Sequence, residues 1–207
     1  MPRSDATPYV PDTNSLRALR QAAQGCRGCP LHEPAIQVVF GEGPRKAALM
    51  LVGEMPGDRE DRAGAVFVGP AGRELDRALE QAGISRSDAY ITNAVKHFKF
   101  HERGKRRIHD TPKKSEVDAC FPWLAAELRL VRPRVLVILG ATAGKALLGS
   151  SFRLTASRGR EIESDLAPYV TATIHPAAVL RAPDDAGREA ERRAFASDLA
   201  AVAKRFS

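Results

Sequence analysis

The sequence predicts an α/β domain with a parallel sheet covered by helices on both faces. Three observations carry this. Short, continuous apolar runs suit strands buried on both sides. Amphipathic stretches of helical period separate them. The two kinds of segment alternate along the chain, which is the pattern of strand–helix–strand units. In order, 47-AALMLVGE-54 is the first strand segment. Residues 70–83 follow as a helix, with Leu75, Leu79 and Ala82 on one face. Pro70 suits its first turn and Gly83 its stop. The run 88-DAYITNAV-95 is the second strand segment. Residues 115–131 are helix-like, although Pro122 interrupts them and predicts a kink or a fresh start. The third and fourth strand segments are 134-RVLVILGA-141 and the β-branched 168-PYVTATIHP-176. Residues 186–205 close the chain as a helix. In such sheets ligands sit at the carboxyl ends of the strands. Those ends are Gly53-Glu54, Asn93, Gly140 and His175-Pro176.

Composition sets the frame for function. The 207 residues suit one domain, with residues 1–13 as a loose leader and 14–207 as the body. The net charge is +7 and the pI about 9.7, which points to a polyanionic partner, nucleic acid before membrane. The charge is local. Residues 96–114 hold eight Lys and Arg against Glu102 and Asp110, so they carry six of the seven net charges. There is no apolar run long enough to span a bilayer, and the leader has no apolar signal core. The expected setting is cytoplasmic and reducing, where three cysteines suggest metal or reactive chemistry rather than disulfides.

Several motifs carry possible chemistry. In 26-CRGC-29 two thiols stand at the spacing of half a metal site. With Cys120 and an imidazole such as His97 the set suits zinc. An iron–sulfur cluster normally takes four thiolates, although histidine can substitute. Free buried thiols are the plainer alternative. The stretch 53-GEMPGDREDRAGAVFVGPAGRELDRAL-79 sets glycines and prolines directly after a strand, where backbone approaches a ligand closely. It puts Glu54, Asp58 and Asp61 at the mouth and offers Phe67 as a stacking face. In 175-HPAAVLR-181 an imidazole faces the ligand crevice, and Arg181 suits a phosphate or plain surface. The segment 140-GATAGKA-146 lacks the spacing of a phosphate loop and reads as a strand-to-helix turn. Finally, 103-RGKRRIHDTPKK-114 sets His109 amid Arg103, Lys105, Arg106, Arg107, Lys113 and Lys114. A solvated charge run explains the cations and leaves the histidine without a role.

Together GExPG after a strand, then FVGPAG, TNAVK and HPxxxLR resemble the uracil-DNA glycosylase superfamily. The cysteine pattern is similar to that of the iron–sulfur family 4 type, and KRRIH (residues 105–109) resembles the UdgX group, family X. The resemblance spans roughly residues 14–205. It implies a three-layer α/β sandwich with a four-stranded parallel sheet, acting as a monomer on uracil-containing DNA, single strands preferred. It implies a [4Fe–4S] cluster on Cys26, Cys29, His97 and Cys120. It also implies that His109 attacks the sugar C1′ and stays bonded to the DNA. Two departures stand out. Met55 replaces the Gln of family X and the Ala of family 4, and HPAA replaces HPSS.

On this resemblance the residues take the following expected roles. Extruded uracil stacks on Phe67, and Asn93 reads its O4 and N3–H. His175 donates to O2 as an oxyanion donor would. Glu54 stabilises the cationic sugar. Gly53, Met55, Gly57, Asp58 and Asp61 line the base site. Lys105, Arg106, Arg107 and Arg181 meet phosphates, each adding salt-sensitive affinity. An ordinary turnover glycosylase of family 4 type is the nearest alternative, and a non-catalytic nucleic-acid-binding protein with a structural metal is the alternative of another class.

Overall fold

The computed structural model describes residues 5–205. Its centre is a four-stranded, wholly parallel sheet of β1 (Leu49–Gly53), β2 (Ala89–Asn93), β5 (Val135–Leu139) and β6 (Tyr169–Thr173), in the order β2-β1-β5-β6. All four expected strand segments are present, each trimmed at its ends. Every residue of β1, β2 and β5 is buried, as parallel strands covered on both faces require.

Alternation along the strands divides the core. Leu49, Leu51, Val135 and Val137 face α3 (Pro70–Gln81) and α8 (Asp185–Ala203), packing with Leu75, Leu79, Phe195 and Leu199. Met50, Val52, Leu136 and Ile138 face the other way, onto Leu124 and Val131 of α4 (Lys114–Val131) and Ala143 of α5 (Ala141–Leu148). This gives helix, sheet and helix layers. α4 runs unbroken through Pro122 and stops where Arg132 turns left-handed at φ 50°. The short helices α2 (Asp58–Ala63), α6 (Leu154–Ser157) and α7 (Ala177–Leu180) sit in connections.

Two expectations change. Residues 5–13 do not form a loose leader. Ala6 is buried and donates its N–H to the Ala119 carbonyl at 2.8 Å. A Cβ at Gly28 would come within 2.6 Å of the Asp5 backbone, so this segment lies directly on the CRGC loop. Residues 1–4 lie outside the described residues. Behind the leader, α1 (Leu16–Ala23) is capped by Ser15, whose hydroxyl accepts from Ala18 N–H, and it packs on α4. Second, the basic run is more than a solvated charge run, because it folds as a hairpin. β3 (Phe100–Arg103) and β4 (Arg106–His109) pair antiparallel across a two-residue turn, with Gly104 at φ 61°. A positive φ at the first turn residue suits the twist of a tight hairpin.

Candidate active site

The sheet order reverses between β1 and β5, and the crevice at the carboxyl ends of such neighbours is where ligands bind. A cleft of about 660 Å³ opens at this edge. Glu54, Met55, Gly57, Asp58, Phe67, Asn93, His109, His175 and Arg181 all line it. Residues from four separate stretches of sequence therefore meet in one place.

The floor of the cleft is built by close approach. Gly53 and Asn93 are register partners on β1 and β2. A Cβ at Gly53 would lie 2.5 Å from Asn93 Oδ1 and 2.6 Å from Phe67 Cζ. Only glycine lets the amide and the ring close over this strand end. Gly53 thus supports the cleft floor from beneath rather than lining the cleft. Phe67 is held at φ 50°, a conformation that bulky residues adopt only where surroundings enforce it. Its carbonyl sits where a side chain at Gly72 would stand. The Phe67 ring lies 5.8 Å from the His175 ring.

Among the described residues, two polar atoms of the cleft are buried without a partner: Asn93 Oδ1 and His175 Nε2. His175 Nδ1 accepts the Ala177 N–H at 3.2 Å, so in the neutral imidazole the proton sits on Nε2. Burial, and then Arg181 and His109, push its pKa down to about 4. The side chain is therefore neutral at pH 7, with one N–H donor unused. An unused acceptor and an unused donor in one pocket form a template for a ligand edge that both donates and accepts, since leaving such groups unpaired is costly.

Glu54 and His109 stand across the cleft, with Glu54 Oε1 3.4 Å from His109 Nε2. Glu54 Oε2 accepts from the Thr142 hydroxyl at 2.5 Å. His109 reaches this position because the hairpin is strapped down. Arg107, on the same strand, bonds Asp58 Oδ1 at 2.5 Å and Asp61 Oδ2 at 2.6 Å. Its guanidinium lies over the rings of Phe98 and Phe100. This corrects two expectations. Arg107 is engaged within the protein rather than free for a phosphate. Asp61 is wholly buried, accepting from Arg107 and from the Ile36 and Gln37 backbone, and does not line the cleft. Asp58 does line it; burial alone would raise its carboxyl, but Arg62 and Arg107 hold it below the usual range. Lys105 and Arg106 are exposed at the hairpin tip, away from the lining, and Arg181 is exposed at the rim. Lys96 and Lys99 of the basic run are paired with Glu127 and Glu116, so the run offers DNA fewer cations than its composition suggests.

Sequence reading missed Glu60, another lining residue. Its carboxylate accepts the Gly57 N–H at 3.2 Å and the Gly69 N–H at 2.8 Å, tying together the two turns that flank the pocket. The signal was present: Glu three residues after a helix-opening Gly57 is a capping arrangement.

Cys26, Cys29 and Cys120 are free, buried and part of one apolar cluster behind the cleft, which Met55 joins. Trp123 Nε1–H donates to Cys26 Sγ and Lys96 N–H to Cys120 Sγ, both at 3.2 Å. Burial pushes the Cys120 thiol up to about 12 and raises Cys29 as well. His97 is buried nearby in the chain, its pKa pushed down to about 4 by burial and then by His32. Three gathered thiols with N–H donors on two sulfurs fit a thiolate-bound group in donor chemistry. Among the described residues, no group of three or more His, Cys, Asp and Glu side chains is close enough to hold a single metal ion.

A parallel sheet with a cleft at its reversal point, lined by an amide, an aromatic ring, three carboxylates and two imidazoles, defines an α/β protein with a ligand site at the carboxyl edge of its sheet. Comparison with known proteins makes this specific. The family model of the uracil DNA glycosylase superfamily matches residues 40–200, and the chain belongs to that superfamily. It is 38% identical over 192 residues to the type-4 uracil-DNA glycosylase of Pyrobaculum aerophilum, covering 89% of this chain and 91% of that one. It is 36% identical over 167 residues to the type-4 enzyme of Thermotoga maritima, covering 80% and 83%. A type-5 uracil-DNA glycosylase of Pyrobaculum aerophilum is 33% identical over 150 residues, covering 65% and 63%. No helix among the described residues is long and apolar enough to cross a membrane.

Proposed function

We propose that this chain is a DNA N-glycosylase that removes uracil from DNA, most readily from single strands and as a monomer. The observation that carries the reading is the buried pair of unused groups, Asn93 Oδ1 and His175 Nε2–H, beside the Phe67 ring. Uracil's edge supplies the complement: its N3–H donates to Asn93 Oδ1, and its O2 accepts from His175. Cytosine has no N3–H and leaves Asn93 Oδ1 unpaired. As the N1–C1′ bond breaks, its electron pair leaves on the uracil ring. The His175 N–H then faces developing negative charge, the interaction that most lowers such barriers. Glu54 faces the positive charge on the sugar. Lys105, Arg106 and Arg181 are exposed, which supports a role for them in meeting DNA phosphates.

Water or an imidazole completes the reaction at C1′. The names of the relatives favour water and ordinary turnover over the His109-linked product that KRRIH suggested. A second reading is carried by one observation: His109 lines the cleft 3.4 Å from Glu54. In that reading His109 forms the N–C1′ bond and its ring proton passes to a base. Excess uracil-containing single-stranded DNA separates the two. Turnover beyond one equivalent, with free abasic DNA, is the expected result for the first. A heat- and detergent-stable protein–DNA band that stops at one equivalent, and that His109→Ser abolishes, establishes the second. Absence of uracil release from any substrate removes both.

We also propose that Cys26, Cys29, Cys120 and His97 hold a [4Fe–4S] cluster. The gathered thiols and their N–H donors support it. Such a cluster would clamp the CRGC loop to α4 and to the segment after β2. Anaerobically purified protein is expected to be brown, with about four irons and four acid-labile sulfides per chain, as the cluster type requires. Colourless protein without iron overturns the proposal.

A further inference from the structure

The segment 140-GATAGKA-146 has the look of a phosphate loop without its spacing, and the roles above give it nothing to do. Its position is specific, however. Gly140 follows β5 at φ 94°, on the far side of the crevice from Glu54. A Cβ there would stand 3.0 Å from His175 Cβ. Two residues on, in the first turn of α5, the half-buried Thr142 donates its hydroxyl to Glu54 Oε2. Gly144 keeps the next turn close against Phe152, whose ring fills the space a side chain would need.

Glu54 follows β1 at the cleft, with 21% of its side chain exposed. A glutamate so placed has several rotamers open to it, and each costs catalysis if it turns the carboxylate away. Thr142 removes this freedom. With Oε2 held by the hydroxyl, Oε1 is the oxygen left facing His109 and the cleft. We propose that Thr142 is a positioning residue: it fixes the Glu54 carboxylate across the β1–β5 crevice, so that one defined oxygen meets the sugar as it becomes cationic. Gly140 serves the same geometry by letting the β5 turn lie against His175. The degenerate phosphate loop is thus a seat for two reacting side chains that belong to different strands. The inference rests on the glycosylase reading above.

Single-turnover uracil release tests it, using the full-length protein and a single-stranded oligonucleotide with one uracil. Thr142→Val keeps the shape and removes the hydroxyl. Its release rate is expected to fall by about tenfold or more, as loss of catalytic alignment brings, and Thr142→Ser restores it to within about threefold. A structural defect would slow every background alike, so the decisive measurement is the combination with Glu54→Gln. If Thr142 acts through Glu54, Thr142→Val has no further effect in that background. A wild-type rate in Thr142→Val, an equal loss in both backgrounds, or failure of the serine to rescue overturns the proposal. Wild-type protein that releases no uracil sinks the glycosylase reading instead, so the two failures are distinguishable.

Discussion

Gly53→Ala is expected to abolish base recognition with only a moderate loss of stability. The added Cβ falls 2.5 Å from Asn93 Oδ1 and 2.6 Å from Phe67 Cζ, closer than real Cβ contacts come. One of the two must move, and neither has room. Asn93 is tied by its own carbonyl, which accepts from Lys96 Nζ at 2.7 Å. Phe67 is held by its left-handed backbone and by α3, where Gly72 lies against its carbonyl. The strain of an extra methyl in such a site is about 1–3 kcal/mol. The catalytic loss is larger, because displacing the amide or the ring proposed to hold the base by a fraction of an ångström misaligns the reacting bond. We expect single-turnover uracil release to drop by about a hundredfold or more, while thermal melting shows a folded protein. A near-wild-type rate would mean that Asn93 and Phe67 do not set the base site.

The framework of this site was legible in the sequence because strand ends announce themselves. Buried parallel strands are continuous apolar runs, and the polar residue that ends each run must emerge at the same edge of the sheet. Glu54, Asn93 and His175 follow from that rule alone. What did not follow were contacts between charges. Composition counts Arg107, Lys96 and Lys99 as cations available to DNA, yet each is paired within the protein. Pairing depends on which acids the fold brings opposite: Asp58 and Asp61 are over forty residues from Arg107. The hairpin was hidden for a related reason. Its strands expose most of their side chains, so the alternation that marks a half-buried strand is absent. The Gly104-Lys105 turn and the aromatic pair Phe98–Phe100, whose rings stack at 5.1 Å, were the available signs. Thr142 was invisible because a hydroxyl one turn into a helix has many roles, and only its partner across the crevice selects one.

The pairing of Lys96 with Glu127 is expected to matter strongly for stability. Both are essentially inaccessible, at 1% and 0% side-chain exposure, and their charged atoms lie 2.5 Å apart. Each is also fully served. Lys96 Nζ donates to Glu127 Oε2, Thr92 Oγ1 and the Asn93 carbonyl. Glu127 accepts in addition from Gly41 N–H, Tyr90 Oη–H and Thr92 Oγ1–H. The burial cost of two charges is offset only while both are present. Lys96→Met fills similar volume but leaves Glu127 as an uncompensated carboxylate buried between α4 and β2. It is expected to lower stability by about 3–5 kcal/mol. For a chain of this length that is a fall in Tm on the order of 10 °C. Glu127→Leu should cost a comparable amount by stranding the ammonium instead. Lys96→Met/Glu127→Leu removes both charges, so its loss should be well below the sum of the single losses. Equal, additive losses would show that the two side chains act only by packing. The same lysine holds the Asn93 carbonyl, so Lys96→Met should also lose uracil release beyond what its remaining folded fraction explains. The ion pair beneath β2 thereby joins the stability of the sheet to the placement of the amide proposed to read the base.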